Sequence, residues 1–185
     1  MIKEIMEFLV STAFEFFTIL ILLRVMMQLA RVDFYNPISQ FIITVTNPPL
    51  KPLRRLIPGL WGIDFPALLL AIVIQTLDQV LLVVFKGALA FNFMLYVTYG
   101  FFGVLDIALQ LMKLAVLAQI VISWVAPNSY HPIVILIRQL GDPIMAPLRR
   151  LIPPVGGLDF SPMIAILFIH ILQKIILPNM QYSLV

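Results

Sequence analysis

Residues 47–58 read NPPLKPLRRLIP, and residues 142–153 read DPIMAPLRRLIP. The two segments are offset by 95 positions and agree at 8 of 12. Extended without a gap, residues 36–65 against 131–160 give 14 identities in 30, among them Pro37/Pro132, Gly62/Gly157, Asp64/Asp159 and Phe65/Phe160. A match of that length inside one chain marks a duplication, so the fold is read as two copies of one unit.

Each copy opens on the same apolar spacing. Ile38, Phe41, Ile42 and Val45 stand at i, i+3, i+4 and i+7, as do Ile133, Leu136, Ile137 and Leu140. This is one apolar stripe of a short helix, and Asn36-Pro37 supplies an N-cap and a first-turn residue. A helix of about a dozen residues cannot span a bilayer. It is predicted to lie in the interface, with its stripe toward lipid or the bundle. The prolines that follow are Pro48, Pro52 and Pro58 in one copy and Pro143, Pro147 and Pro153 in the other. They restrict φ and remove donors, which predicts a stiff, non-helical loop closed by Gly62 or Gly157 and carrying Arg54-Arg55 or Arg149-Arg150.

The flanks decide the medium. The 185 residues are 62% hydrophobic and 11% charged, with mean hydropathy +1.05. Soluble domains are roughly 45–50% apolar and about 25% charged, and a compact body of this size cannot bury the excess. A soluble globular enzyme is excluded, and the remaining solvent is lipid. Apolar stretches cover 8–30, 66–85, 88–125 and 162–177. The first is too long for a signal-peptide core, is preceded by Glu4 and Glu7, and has no small-residue cleavage site, which favours a retained span. Asp64-Phe65-Pro66 reads as the start of the second span. The third stretch is read either as one long helix with an interfacial lead-in or as a tight hairpin near Asp106. The units fall at 1–86 and 103–185, with 87–102 as an apolar linker.

If the linker does not span, there are four crossings and both Arg-Arg segments face one side. If it does, there are five, as an inverted repeat. Segments 31–64 and 126–160 hold Arg31, Lys51, Arg54, Arg55, Arg138, Arg149 and Arg150, against Lys3 and Lys86 elsewhere outside the spans. Seven cations on one side follow the positive-inside rule, whereas inversion would split them. The expectation is an all-α, polytopic helical bundle with four spans, five remaining possible, and two interfacial amphipathic helices. Both Arg-Arg segments are placed in the cytoplasm.

The duplicated PLRRLIP run with its downstream Gly-x-Asp resembles the YggT/YlmG family over nearly the whole chain. The second copy, Gly156-Gly157-Leu158-Asp159-Phe160-Ser161-Pro162, matches that pattern more closely. The first departs from it at Trp61-Gly62-Ile63-Asp64-Phe65-Pro66, lacking the double glycine and the serine. The resemblance implies a small, multi-pass protein of the bacterial inner membrane without known catalytic activity. Family members have been linked to osmotic-stress tolerance, to cell division and nucleoid organisation and, in plastids, to haem attachment to a cytochrome.

Guanidinium forks at a membrane surface suit bidentate phosphate or carboxylate contacts. The arginine pairs are therefore candidates for binding anionic lipid headgroups or an acidic membrane-protein partner. The blander reading is interfacial anchoring, and a further alternative is that one arginine of each pair is neutralised by Asp64 or Asp159. Charges within spans default to functional hypotheses. These are Arg24, Asp78, Asp106, Lys113, His170 and Lys174, with Glu15 placed on a face similar to that of Arg24. Mutual pairing, snorkelling and an ion or proton path are the alternatives. Without cysteine there is no thiolate metal site, and no metal or cofactor is expected. His131 and His170 are set aside as haem ligands, since His131 precedes a proline and Gln75 stands where His170 has its counterpart. The basic balance (net charge +3) includes no concentrated tract, so nucleic acid is not expected as a partner. Homo-oligomers remain possible. No phosphate loop, Ser/His/Asp set or paired-carboxylate arrangement is present. The expected function is therefore a non-enzymatic scaffold or assembly factor for envelope homeostasis and osmotic-stress tolerance. A small transporter or channel component, and then a haem-handling factor, are the alternatives.

Overall fold

The computed structural model describes residues 2–57, 59, 62–87, 92–152 and 159–184. They form α1 (Ile2–Leu29), α2 (Pro37–Leu56), α3 (Phe65–Lys86), α4 (Phe93–Val125), α5 (Pro132–Leu151), α6 (Ser161–Ile171), a π-helical turn (Leu172–Ile176) and α7 (Leu177–Leu184). Among the described residues four helices are long and apolar enough to cross a membrane: Ile2–Leu29, Phe65–Lys86, Phe93–Val125 and Ser161–Gln181. Pro58, Pro153 and Gly157 lie outside the described residues, as do positions 88–91 of the linker.

Local chemistry sets most helix starts. The Asn36 side chain accepts from the Ile38 amide at 2.9 Å ahead of Pro37, and Asp64 accepts from the Ala67 amide at 3.3 Å ahead of Pro66. Asn92 caps α4 through the Leu95 amide at 3.3 Å. Gly87, at φ +75°, ends α3 in the left-handed conformation that glycine adopts without strain. The third apolar stretch is one 33-residue helix with Asp106 inside it, not a hairpin, and positions 93–102 are its first turns. At 1.5 Å per residue it is about 50 Å long, so it outruns the roughly 30 Å hydrocarbon layer.

The π-helical turn sits just before Pro178. In a regular helix the proline ring would collide with the Lys174 carbonyl four residues back, and a widened turn relieves that clash.

The core centres on the second half of α1, where Ile21 and Met27 are fully buried, joined by Leu50 of α2 and by Ala67 and Ala71 of α3. Lipid is as apolar as leucine, so burial of apolar area does not drive helices together there; close packing at small residues does. Gly100 shows this. A Cβ placed on it would stand 2.8 Å from the Thr76 amide nitrogen, so α3 and α4 approach closely only because this position carries no side chain. Exposed Leu69, Val73, Leu77 and Val84 form the outward stripe of α3.

The Pro-rich segments differ from the expectation. Pro48, Pro52, Pro143 and Pro147 do not sit in loops but inside α2 and α5, and both arginine pairs lie in the last turns of these helices. A proline inside a helix removes one backbone bond. An open loop against hydrocarbon would leave many backbone groups unpaired, at several kcal/mol each, so the helix with a few missing bonds wins. Side-chain donors gather before the prolines: Thr44 Oγ1 donates to Gln40 O at 2.8 Å and Thr46 Oγ1 to Ile42 O at 2.7 Å. The short amphipathic helices are thus 20 residues long, not a dozen. Their stripe is split: Ile42 is buried and Phe41 is exposed. Glu15 is exposed while Arg24 is buried, because nine residues at 100° per residue turn the helix half a revolution too far to share a face.

Candidate functional site

With four spans, α2 and α5 occupy the same end of the bundle, each between the C-terminus of one span and the N-terminus of the next. They touch there. Asn36 Nδ2 donates to Pro132 O at 2.7 Å, and the Asp33 amide to Gln139 Oε1 at 3.3 Å. Their bounds, Pro37–Leu56 and Pro132–Leu151, are offset by 95 at both ends. Cations in a final turn complement the partial negative charge of a helix C-terminus, which suits Arg54, Arg55, Arg149 and Arg150 to these positions.

The two arginines of each pair do different things. Arg54 forms an ion pair with Asp64, and Arg149 Nε donates to Asp159 Oδ2 at 3.0 Å. Both pairs tie the end of an amphipathic helix to the start of the next span. Arg55 and Arg150 are exposed and meet no acidic side chain among the described residues. Burial pushes the Asp159 carboxyl up, but donors from Ser161 and Arg149 outweigh it and hold the group below its usual range.

The first repeat closes its polar centre with Arg24. This residue is 8% exposed, and its Nη1 donates to Thr46 Oγ1 at 2.8 Å, Asn47 Oδ1 at 2.9 Å and Ile43 O at 3.3 Å. Its Nε lies 3.9 Å from Asp64, itself 4% exposed. In the second repeat Gln119 stands in Arg24's place and Asp142 in Asn47's, and Gln119 Nε2 donates to Asp142 Oδ1 at 2.9 Å. Beside this contact lies a cavity of about 560 Å³, on whose wall Gln119, Arg138, Asp142, Arg149 and Asp159 appear.

The intramembrane charges divide between paired and outward-facing. Ser11 Oγ donates to Asp78 Oδ1 at 2.8 Å, and Gln75 Nε2 to Thr18 Oγ1 at 3.1 Å. In the second repeat Gln173, buried in the π-helical turn, bridges opposite charges. Lys113 Nζ donates to its Oε1 at 2.7 Å, and its Nε2 donates to Asp106 Oδ1 at 2.9 Å. Ser11/Asp78 and Asp106/Gln173 are the same positions of the two copies, with the carboxylate moved from α3 to α4. His170 and Lys174 are exposed on α6 and the π-helical turn. Gly62 is at φ +78°, turning the chain toward α3, and its carbonyl accepts from Gln28 Nε2 at 3.0 Å.

Sequence reasoning named Arg24, Asp78, Asp106 and Lys113 but missed their partners Thr46, Asn47, Ser11 and Gln173, and missed the Gln119–Asp142 contact. The offset of 95 would have found the equivalences had it been applied to polar residues outside the motif. Ser11/Asp106, Arg24/Gln119, Asn47/Asp142 and Asp78/Gln173 all follow from it.

Comparison with known proteins agrees with this two-copy architecture. The chain is 37% identical over 174 residues to the uncharacterized protein PA0392 of Pseudomonas aeruginosa, covering 94% of this chain and 88% of that one. It is 39% identical over 168 residues to the uncharacterized protein YggT of Escherichia coli K12, covering 91% and 87%. It is also 39% identical over 166 residues to an uncharacterized protein of Vibrio alginolyticus, covering 89% and 88%. No solved structure gives a significant match. The CCB3/YggT family model matches twice, over residues 4–85 and 98–180. The chain therefore belongs to the CCB3/YggT family, as a membrane protein carrying the family unit in duplicate.

Proposed function

We propose that the protein is a non-enzymatic scaffold or assembly factor of the bacterial inner membrane that contributes to envelope homeostasis and osmotic-stress tolerance. In this reading α2 and α5 form one cytoplasmic-face platform that holds anionic lipid headgroups or an acidic partner. One observation carries it. Arg55 and Arg150 stand exposed in equivalent last turns at the same end of the bundle, while their neighbours Arg54 and Arg149 are held by Asp64 and Asp159. The free guanidinium forks are thus the binding groups, and the paired ones set the helix ends that present them.

R55Q/R150Q tests this reading. Expected is loss of anionic-phospholipid enrichment and of co-purifying partners, with membrane insertion unchanged; enrichment equal to that of the parent sinks it. The facing of the platform is read by thiol labelling at single cysteines replacing Lys51 and Ala146, both exposed in a chain without native cysteine. Labelling of both from the cytoplasmic side is expected, and opposite sides would overturn it.

A second reading, a small transporter or channel component, rests on the Lys113–Gln173–Asp106 bridge. Cavities of about 340 and 360 Å³ open beside it, both lined by Gln173 and Lys174. Ion flux in proteoliposomes, abolished by D106N, would favour it over the scaffold.

A further inference from the structure

The cavity of the second repeat has a built-in comparison in the first, where the Arg24 side chain stands at the equivalent position, donates to Asn47 at 2.9 Å and lies 3.9 Å from Asp64. The second repeat has lost that guanidinium and gained a carboxylate at Asp142. Among the described residues no cation reaches Asp142; its one recorded donor is the Gln119 amide. On the same wall Arg138 spends only Nη2, on Ala126 O at 3.1 Å and Pro127 O at 2.6 Å, and Arg149 spends only Nε, on Asp159. The remaining guanidinium N–H groups are free to hold an anion. One cavity of about 560 Å³ thus offers an unpaired carboxylate and two arginine forks, within the size range of small-molecule sites.

The depth of the cavity identifies the medium. Val116 and Ile120 of α4 form part of the wall, and Trp124, 80% exposed, stands at its mouth one residue before α4 ends. An exposed indole at a span terminus marks the boundary between hydrocarbon and water. Molecules with an anionic and a cationic group, held at that depth by apolar tails, are zwitterionic phospholipids.

We propose that this cavity binds the headgroup of an ethanolamine phospholipid. The phosphate sits on Arg138 and Arg149, and the ammonium donates to Asp142 in the place that Arg24 takes by itself in the first repeat. An ammonium with three N–H donors satisfies a carboxylate where a trimethylated one cannot. The site is separate from Arg55 and Arg150, so it stands or falls independently of the scaffold reading.

The test uses the full chain carrying W61F, so that Trp124 is the only indole, in phosphatidylcholine nanodiscs. Its fluorescence is quenched by brominated phosphatidylethanolamine, phosphatidylglycerol or phosphatidylcholine at equal mole fraction. Phosphatidylethanolamine should bind about tenfold more tightly than phosphatidylcholine, as one charge-assisted hydrogen bond predicts. Q119R, which imports the first repeat's own arginine, should abolish that preference. D142N reproduces the Asn47 of the first repeat; it should reduce the preference and decides the matter should Q119R not assemble. Equal quenching by phosphatidylethanolamine and phosphatidylcholine, stronger quenching by phosphatidylglycerol, or a preference that survives D142N would each overturn the proposal.

Discussion

Asp64 and Asp159 occupy the same position of the two repeats, yet the same substitution should cost very different amounts. Asp64 is 4% exposed and lies between Arg24, 3.9 Å away and itself buried, and Arg54. D64N keeps the oxygen that caps α3 at the Ala67 amide, since asparagine caps as well as aspartate, so only charge is removed. Arg24 is then left buried with neutral partners. Removing one member of a buried ion pair costs about 3–5 kcal/mol, a drop of roughly 150-fold or more in the folded-to-unfolded ratio. Asp159 is 38% exposed on its side chain and pairs with Arg149, which is 47% exposed. Water screens that pair, so D159N should cost no more than about 1 kcal/mol. Denaturant unfolding in mixed micelles, followed by tryptophan fluorescence, measures both. Equal losses in the two variants, or a larger loss in D159N, would refute the view that Arg24 makes the first repeat a closed ionic centre and that the second lacks one.

Further outcomes follow from single contacts. G100L should separate α3 from α4, since even a Cβ at this position would stand 2.8 Å from the Thr76 amide nitrogen; a destabilisation of about 1–3 kcal/mol is expected, and an unchanged melting temperature would contradict the close approach. Q173L leaves Lys113 without its acceptor while Asp106 keeps the Gln110 amide as a donor, and should destabilise by about 1–3 kcal/mol; S11A takes the Ser11 donor from the buried Asp78 carboxylate and should likewise cost about 1–3 kcal/mol, both read by denaturant unfolding. The Asp159 carboxyl is held below its usual range, so the stability it contributes is fully present above roughly pH 4 and is lost as the pH falls through its folded value. A carboxyl-carbon NMR titration should give a midpoint below the ordinary aspartate value that rises in R149Q; a midpoint unmoved by R149Q would remove Arg149 from the cause.

By itself the sequence determined the medium and the duplication, and it favoured four spans over five. A bilayer demands about 20 apolar residues per crossing, and a 95-residue offset can be read from letters alone. It also determined the starts at Asn36 and Asp64, because capping acts over two or three residues. It could not determine whether the proline-rich segments are helical. Local propensity argues against helix at Pro48, Pro52, Pro143 and Pro147, and only backbone satisfaction at the membrane edge, a property of the assembled bundle, reverses that. Likewise each arginine pair reads as two equal cations until the turn into the next span brings Asp64 to Arg54 and Asp159 to Arg149. Whether a polar centre holds a buried cation depended on what reaches across the gap between helices: Arg24 meets Thr46, Asn47 and Asp64, whereas Gln119 meets Asp142. Distances across that gap arise only when α1 packs on α2 and α4 on α5, so tertiary structure alone decided them.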